Sequence, residues 1–230
     1  MVLKELLLVC LLHVCYSNAG GGPAVHKVIE PKRVEFRSLN YNNVLHWKSG
    51  KRLDIKPLYF VQYKIYGDTR WSNKTACWGI NEKFCDLSKE TSDNREWYYA
   101  RVCAATPDVQ SDWVFSQKFI PYLTTVIGPP ETKLWARETS ILVQLKPPHS
   151  PFKRRNGSWI SMKRLHDLKY RIYITNNELD QLKHVLEGWN RTVQIENLTP
   201  RTTYCVVTEI IMVSQARKSQ PSEKKCIKTL

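Results

Sequence analysis

The sequence predicts an all-β protein: two tandem Greek-key sandwiches after a cleaved signal peptide. Three observations predict it. Apolar and polar residues alternate in short runs, as in Val61, Tyr63 and Ile65 against Gln62, Lys64 and Tyr66, which is the period of a half-buried strand. A break at Pro121 and Gly128-Pro129-Pro130 divides these runs into two sets, since proline lacks the donor a sheet ladder needs. No stretch shows a long, capped repeat of about 3.6 residues, so short strands and turns must build the core.

The elements follow in chain order. Lys4 precedes the apolar run Leu6–Val14, and Ser17-Asn18-Ala19 offers small residues at a cut. This is the layout of a secretory signal peptide, residues 1–19, removed after Ala19. In the first unit, residues 20–126, Leu45 and Trp47 share one strand face with His46 on the other. Tyr98, Ala100, Val102 and Ala104 alternate with Tyr99, Arg101 and Cys103. The second unit, residues 127–230, repeats the pattern. Ile141, Val143 and Leu145 form one strand face, Tyr170, Ile172 and Ile174 another, and Tyr204, Val206 and Thr208 a third. Each unit has about 100 residues, an ordinary domain size.

Composition narrows the function classes. The 230 residues are 42% apolar and 24% charged, the balance of a folded chain. No apolar run reaches the ~18 residues that span a bilayer. Lys and Arg total 35 against 21 Asp and Glu, a formal charge of +14. Such a charge favours electrostatic steering without naming a partner. Nucleic acid is not expected, because the signal peptide directs the chain out of the cell. Four sequons agree with export: Asn73, Asn156, Asn190 and Asn197, each followed two residues later by Ser or Thr.

No enzyme is expected. The six His are scattered, and neither G-x-S-x-G nor H-E-x-x-H occurs. No C-x-x-C is present, so neither a metal site nor a cofactor is indicated. With the signal removed, Cys77, Cys85, Cys103, Cys205 and Cys226 remain. In an oxidising compartment they read first as disulfides. Five thiols leave many pairings open, and domain position favours one local bridge per unit.

Leu198-Thr199-Pro200 stands before Tyr204 and Val206. A Tyr near the start of strand F commonly bonds back to the preceding corner. Tyr204 is the candidate, with Tyr98 its equivalent in the first unit. These spacings, and Trp47 on the second strand, resemble fibronectin type III domains.

The resemblance extends further. Pro31-Lys-Arg-Val-Glu-Phe36, Tyr59-Phe-Val-Gln-Tyr-Lys-Ile-Tyr-Gly67, Cys77-Trp-Gly79, Cys85-Asp-Leu87, Glu90-Thr-Ser-Asp93 and Tyr204-Cys-Val-Val207 resemble the class II cytokine receptor family. That family includes the interferon and interleukin-10-type receptors and tissue factor. The resemblance implies bridges Cys77–Cys85 and Cys205–Cys226. It also implies a monomeric, secreted receptor without a membrane span, whose partner is a helical cytokine of the interleukin-10 family, interleukin-22 first. A chain ending four residues after Cys226 would bind and not transmit, and so act as a decoy. A secreted adhesion or glycan-binding module of the same fold is the alternative.

Carried over by position, the cytokine contacts are loop tips at the elbow between domains. They are Tyr66 and Gly67 after strand C, Lys89, Glu90 and Thr91 before strand F, and Ala105 and Thr106 after it. The second unit adds Met212 and Val213, and its B–C loop within Pro147–Asp167. Tyr66 lies off the core face, and an exposed Tyr supplies large contact area at low entropy cost.

Three features remain. Lys153, Arg154, Arg155, Lys163 and Arg164 crowd the stretch 150–164 with no acid. That is a solvated loop, or a site for an acidic ligand patch or heparan-type glycans. Arg101 and Trp113 form a candidate cation–π pair with a structural role. Cys103 falls outside the two-bridge pattern; its alternation points it outward, where a neighbouring side chain covers it, a small thiol caps it, or a second chain links to it.

Overall fold

Alternating side chains become strands wherever one face can be buried. The computed structural model describes residues 23–50, 56–176 and 181–230; the signal peptide lies outside the described residues. The chain forms two compact units. One holds the described residues up to Ser38 with Asn42–Thr124; the other holds Leu39–Tyr41 with Thr125–Leu230.

The first unit runs α1 (Pro23–Ile29), β1 (Lys32–Leu39), β2 (Asn42–Lys48), β3 (Leu58–Ile65), β4 (Ser72–Ile80), β5 (Phe84–Asp86), β6 (Tyr98–Ala105), β7 (Val114–Phe115) and α2 (Pro121–Thr124). One sheet has the order β1-β2-β5 and the other β4-β3-β6-β7. Val34, Leu45, Trp47, Leu87, Tyr59, Val61, Ala100, Val102 and Ala104 close the core between them. Central β6 is buried on both faces at its C-terminal end. Gly50 is required by packing, since a Cβ there would lie 2.2 Å from the Val28 carbonyl oxygen.

The second unit runs β8 (Glu131–Ala136), β9 (Ile141–Lys146), β10 (His149–Lys153), β11 (Trp159–Ser161), β12 (Leu168–Asn176), β13 (Gln181–Gly188), β14 (Thr192–Ile195), β15 (Thr203–Met212), β16 (Arg217–Lys218) and β17 (Lys225–Lys228). β14-β9-β8 forms one sheet; β13-β12-β15-β16, with β17 also on β15, forms the other. Tyr170, Ile172 and Ile174 of β12 alternate inward without a break. They meet Ile141, Val143, Leu145, Val206 and Ile210 in one cluster. β10 and β11 pair as a separate hairpin, where the sequence predicts a solvated loop.

Both tyrosine corners form. Tyr204 Oη accepts from the Thr199 amide at 3.0 Å, and Tyr98 Oη donates to the Asp93 carbonyl at 3.0 Å. The rings are fully buried, so these bonds remove the cost of an orphaned hydroxyl. Burial and the nearby Asp93 and Glu96 charges push the Tyr98 phenol up to about 12. The bridges are Cys77–Cys85, with Cα atoms 6.0 Å apart, and Cys205–Cys226. Cys205 and Cys226 sit directly opposite on β15 and β17. Cys103 is not an accessible outward thiol. It is fully buried because the chain after β6 folds back over it, and its Sγ lies 3.5 Å from the Ser111 carbonyl.

Candidate functional site

The C-terminal end of β3 builds the most exposed aromatic in the first unit. Ile65 is the last strand residue, and the Asp68 amide donates to its carbonyl at 3.2 Å, closing a tight turn. Gly67 sits at φ 95° in that turn, a conformation a side chain would strain. The Tyr66 amide donates to the Trp97 carbonyl at 2.6 Å. The turn is thereby pinned to the segment entering β6.

Tyr66 is 61% exposed yet not loose. Its ring lies 6.3 Å from Trp97 and 6.3 Å from Tyr99. Lys118 Nζ stands 4.2 Å from the Tyr66 ring and 3.2 Å from the Trp97 ring. A solvent-facing phenol held by two aromatics and a cation costs little further ordering when a partner covers it. Trp97 is itself 40% exposed, and it extends the patch. Sequence reasoning missed Trp97 and Lys118. They lie far from Tyr66 in the chain, and only the pairing of β3 with β6 brings them together.

Beneath the turn a second stack fixes β4. The Arg101 guanidinium carbon lies 4.3 Å from the Trp71 ring and 4.5 Å from the Trp113 ring. Arg101 Nε donates to Gln62 Oε1 at 2.7 Å, and Gln62 Nε2 donates to Asn73 Oδ1 at 2.7 Å. Lys64 Nζ is 5.1 Å from the Trp71 ring. The expected Arg101–Trp113 pair is thus one side of a sandwich whose other slice is Trp71. Its position anchors Trp71, the residue just before β4, beyond the turn that Asp68 closes.

The other candidates divide by burial. Lys89 is exposed. Glu90 is not offered outward: its Oε1 lies 2.6 Å from Lys74 Nζ, with both side chains mostly covered. Thr91 is fully buried because its hydroxyl donates to the Leu87 carbonyl at 2.8 Å and accepts from Asn43 Nδ2 at 2.8 Å. Ala105 is buried at the end of β6, and Thr106 is nearly so. Thr106 Oγ1 caps the next turn, accepting from the Val109 amide at 3.2 Å. Met212 belongs to the second core. Val213 after it is 42% exposed, and its amide is held by the Asp167 carbonyl at 3.0 Å. Thr91, Ala105 and Met212 therefore support loops and present no side chain to a partner. Position along a loop does not reveal which way a side chain turns. The four sequon residues, Asn73, Asn156, Asn190 and Asn197, are all exposed, as glycan attachment requires.

Two sandwiches of this strand order, each with its own disulfide and tyrosine corner, define a tandem fibronectin type III-like chain of the cytokine-receptor type. Comparison with known proteins agrees. A tissue factor family model matches residues 4–113, and an interferon-alpha/beta receptor fibronectin type III model matches residues 125–230. The chain is 38% identical to interleukin-22 receptor subunit alpha-2 of Rattus norvegicus, over 94% of this chain and 95% of that one. It is 39% identical to interleukin-20 receptor subunit alpha of Homo sapiens, over 87% of this chain and 36% of that one. Among solved structures, the chicken interferon gamma receptor alpha chain superposes with a TM-score of 0.64 at 23% identity, covering 88% of this chain and 98% of that one. That last likeness concerns the fold. The chain belongs to the class II cytokine receptor family.

Proposed function

We propose that this chain is a secreted binder of interleukin-22 that withholds the cytokine from its membrane receptor. The observation that carries the reading is the near end-to-end match with a protein named interleukin-22 receptor subunit alpha-2. The pre-ordered Tyr66 patch supports it, since exposed, rigid aromatics are the usual anchors of protein interfaces. Among the described residues no helix is long and apolar enough to cross a membrane. Capture involves no chemical step, so no catalytic group is assigned. The contact set proposed is Tyr66, Gly67, Trp97, Lys89 and Lys118 on the first unit and Val213 on the second. Withholding a ligand depends on residence time, so slow dissociation is the property the site must supply.

The test is competition on cells that respond to interleukin-22. Purified chain mixed with the cytokine before addition suppresses the response in proportion to its molar excess. An unchanged response at large excess contradicts the proposal. Suppression of an interleukin-20 response alone would redirect it to that cytokine.

A further inference from the structure

We infer that the β10–β11 hairpin of the second unit is a binding site for a linear sulfated glycan, separate from the Tyr66 patch. From residue 139 to residue 166 the sequence holds no Asp or Glu, while Lys153, Arg154, Arg155, Lys163 and Arg164 fall within it. The structure turns this run into an ordered object. Lys153 lies opposite Trp159, and His149 opposite Ser161. The turn between the strands is closed by the Gly157 amide on the Arg154 carbonyl and the Arg154 amide on the Ser158 carbonyl, each at 2.9 Å. Gly157 takes φ 79°, as a three-residue hairpin loop with a glycine bulge demands.

The cations fall at the two ends of this hairpin. Lys153, Arg154 and Arg155 occupy the tip, and all are exposed. Lys163 and Arg164 follow β11 at the foot, in a short 3-10 turn whose Met162 amide is bound to the Pro148 carbonyl at 2.9 Å. Both are exposed. None of the five has a carboxylate within ion-pair distance among the described residues. The three residues of β11 separate tip from foot, roughly 10 Å at the usual rise per residue.

Between them sits an aromatic platform. Trp159 is 48% exposed, its ring stacks on His149 at 5.2 Å and 14°, and Lys153 Nζ lies 4.3 Å from it. An extended chain with sulfates spaced along it matches this layout: guanidinium forks grip oxyanions at each end, and a sugar ring can lie against the indole. A compact anion would use one end only. A flat anionic bilayer suits it less, because the sequon at Asn156 sits at the tip and is exposed, where an attached glycan holds a flat surface away while a flexible chain passes beside it.

The test uses the full secreted chain on immobilised heparin, with completely desulfated heparin and phosphatidylserine vesicles as comparison probes. Wild type is expected to stay bound at about physiological ionic strength, where exposed charges are screened beyond ~8 Å, and to bypass desulfated heparin. The triple variant K153E/R154E/R155E should lose at least tenfold in affinity, K163E/R164E several-fold, and Trp159→Ala several-fold at unchanged net charge. K48E/K56E/K83E, with the same charge change on the first unit, should stay within twofold. Circular dichroism and thermal midpoints confirm that each variant is folded. Equal losses for both triple variants would mean that net charge alone retains the chain, and would overturn the assignment. So would vesicle binding without heparin binding, or intact heparin binding in K153E/R154E/R155E alongside a loss of cytokine capture.

Discussion

Replacing Arg101 with methionine tests how the first unit holds the edge that carries Tyr66. The substitution keeps most of the apolar stem and removes the guanidinium between Trp71 and Trp113, at 4.3 and 4.5 Å. Each half-exposed cation–π contact contributes about 0.5–1 kcal/mol. The charged donor to Gln62, at 2.7 Å, contributes about 1.5 kcal/mol. Gln62 is buried, so its Oε1 is left poorly served. The expected loss is about 2.5 kcal/mol, roughly sixtyfold in the opening equilibrium. Amide hydrogen exchange in the full chain reads this locally. Exchange in β3 and β6 should accelerate by that factor, while β12 and β15 serve as an internal reference. Arg101→Lys should fall between, since lysine keeps the charge and loses the planar fork. Acceleration under about fivefold in β3 and β6 would refute the stack as a stabilising element. Equal acceleration in β12 and β15 would refute its local action.

Further outcomes follow from the same geometry. Tyr66→Ala should speed interleukin-22 dissociation roughly thirtyfold, the scale of a hot-spot truncation, while Tyr66→Phe should stay close to wild type because the ring is what Trp97 and Tyr99 hold; surface plasmon resonance distinguishes them. Replacing Cys205 and Cys226 together by alanine should destabilise the second unit by roughly 3 kcal/mol, and the Cys77 and Cys85 pair the first by roughly 2.5 kcal/mol, read by denaturant midpoints. Tyr98 is a folded-state phenol whose pKa is raised from 10.0 to about 12. Its neutral form is the one the fold favours. The stability it contributes is complete below pH ~10 and lost as pH rises through about 12. In Tyr98→Phe one late-ionising phenol should vanish from the alkaline absorbance titration. Gly50→Ala should cost about 1–3 kcal/mol, because the new methyl meets the Val28 carbonyl oxygen at 2.2 Å; thermal midpoints would show it.

The strands were legible because burial on one face writes itself into alternation. β12 follows it from Leu168 to Ile174 and β15 from Val206 to Met212, and Tyr204 with Leu198-Thr199-Pro200 marks the corner in the sequence itself. What alternation cannot carry is the partner across the sheet. Trp71 reads as an ordinary loop tryptophan until β4, β3, β6 and β7 are laid side by side and Arg101 is found against it. Trp97 and Lys118 join Tyr66 for the same reason. The β10–β11 hairpin escaped because Pro147, Pro148 and Pro151 suggest a coil, whereas its pairing rests on backbone bonds that use no proline donor. Among the loop candidates, the exposure of Tyr66 was legible because a residue just past a strand end, beside a glycine turn, leaves the sheet. Thr91, Ala105 and Met212 were misjudged as contacts because a loop's inward residues are chosen by hydrogen bonds and core packing, to which sequence position is blind. Cys103 shows the converse: its strand face was read correctly, and the fold-back after β6 then covered it.

The most direct measurement is the dissociation of interleukin-22 from the immobilised chain, wild type beside Tyr66→Ala. The account predicts saturable one-to-one binding with slow release, and a release accelerated roughly thirtyfold in the variant. Absence of interleukin-22 binding by the folded wild-type chain would contradict the function. Binding with the same release rate in Tyr66→Ala would contradict the site.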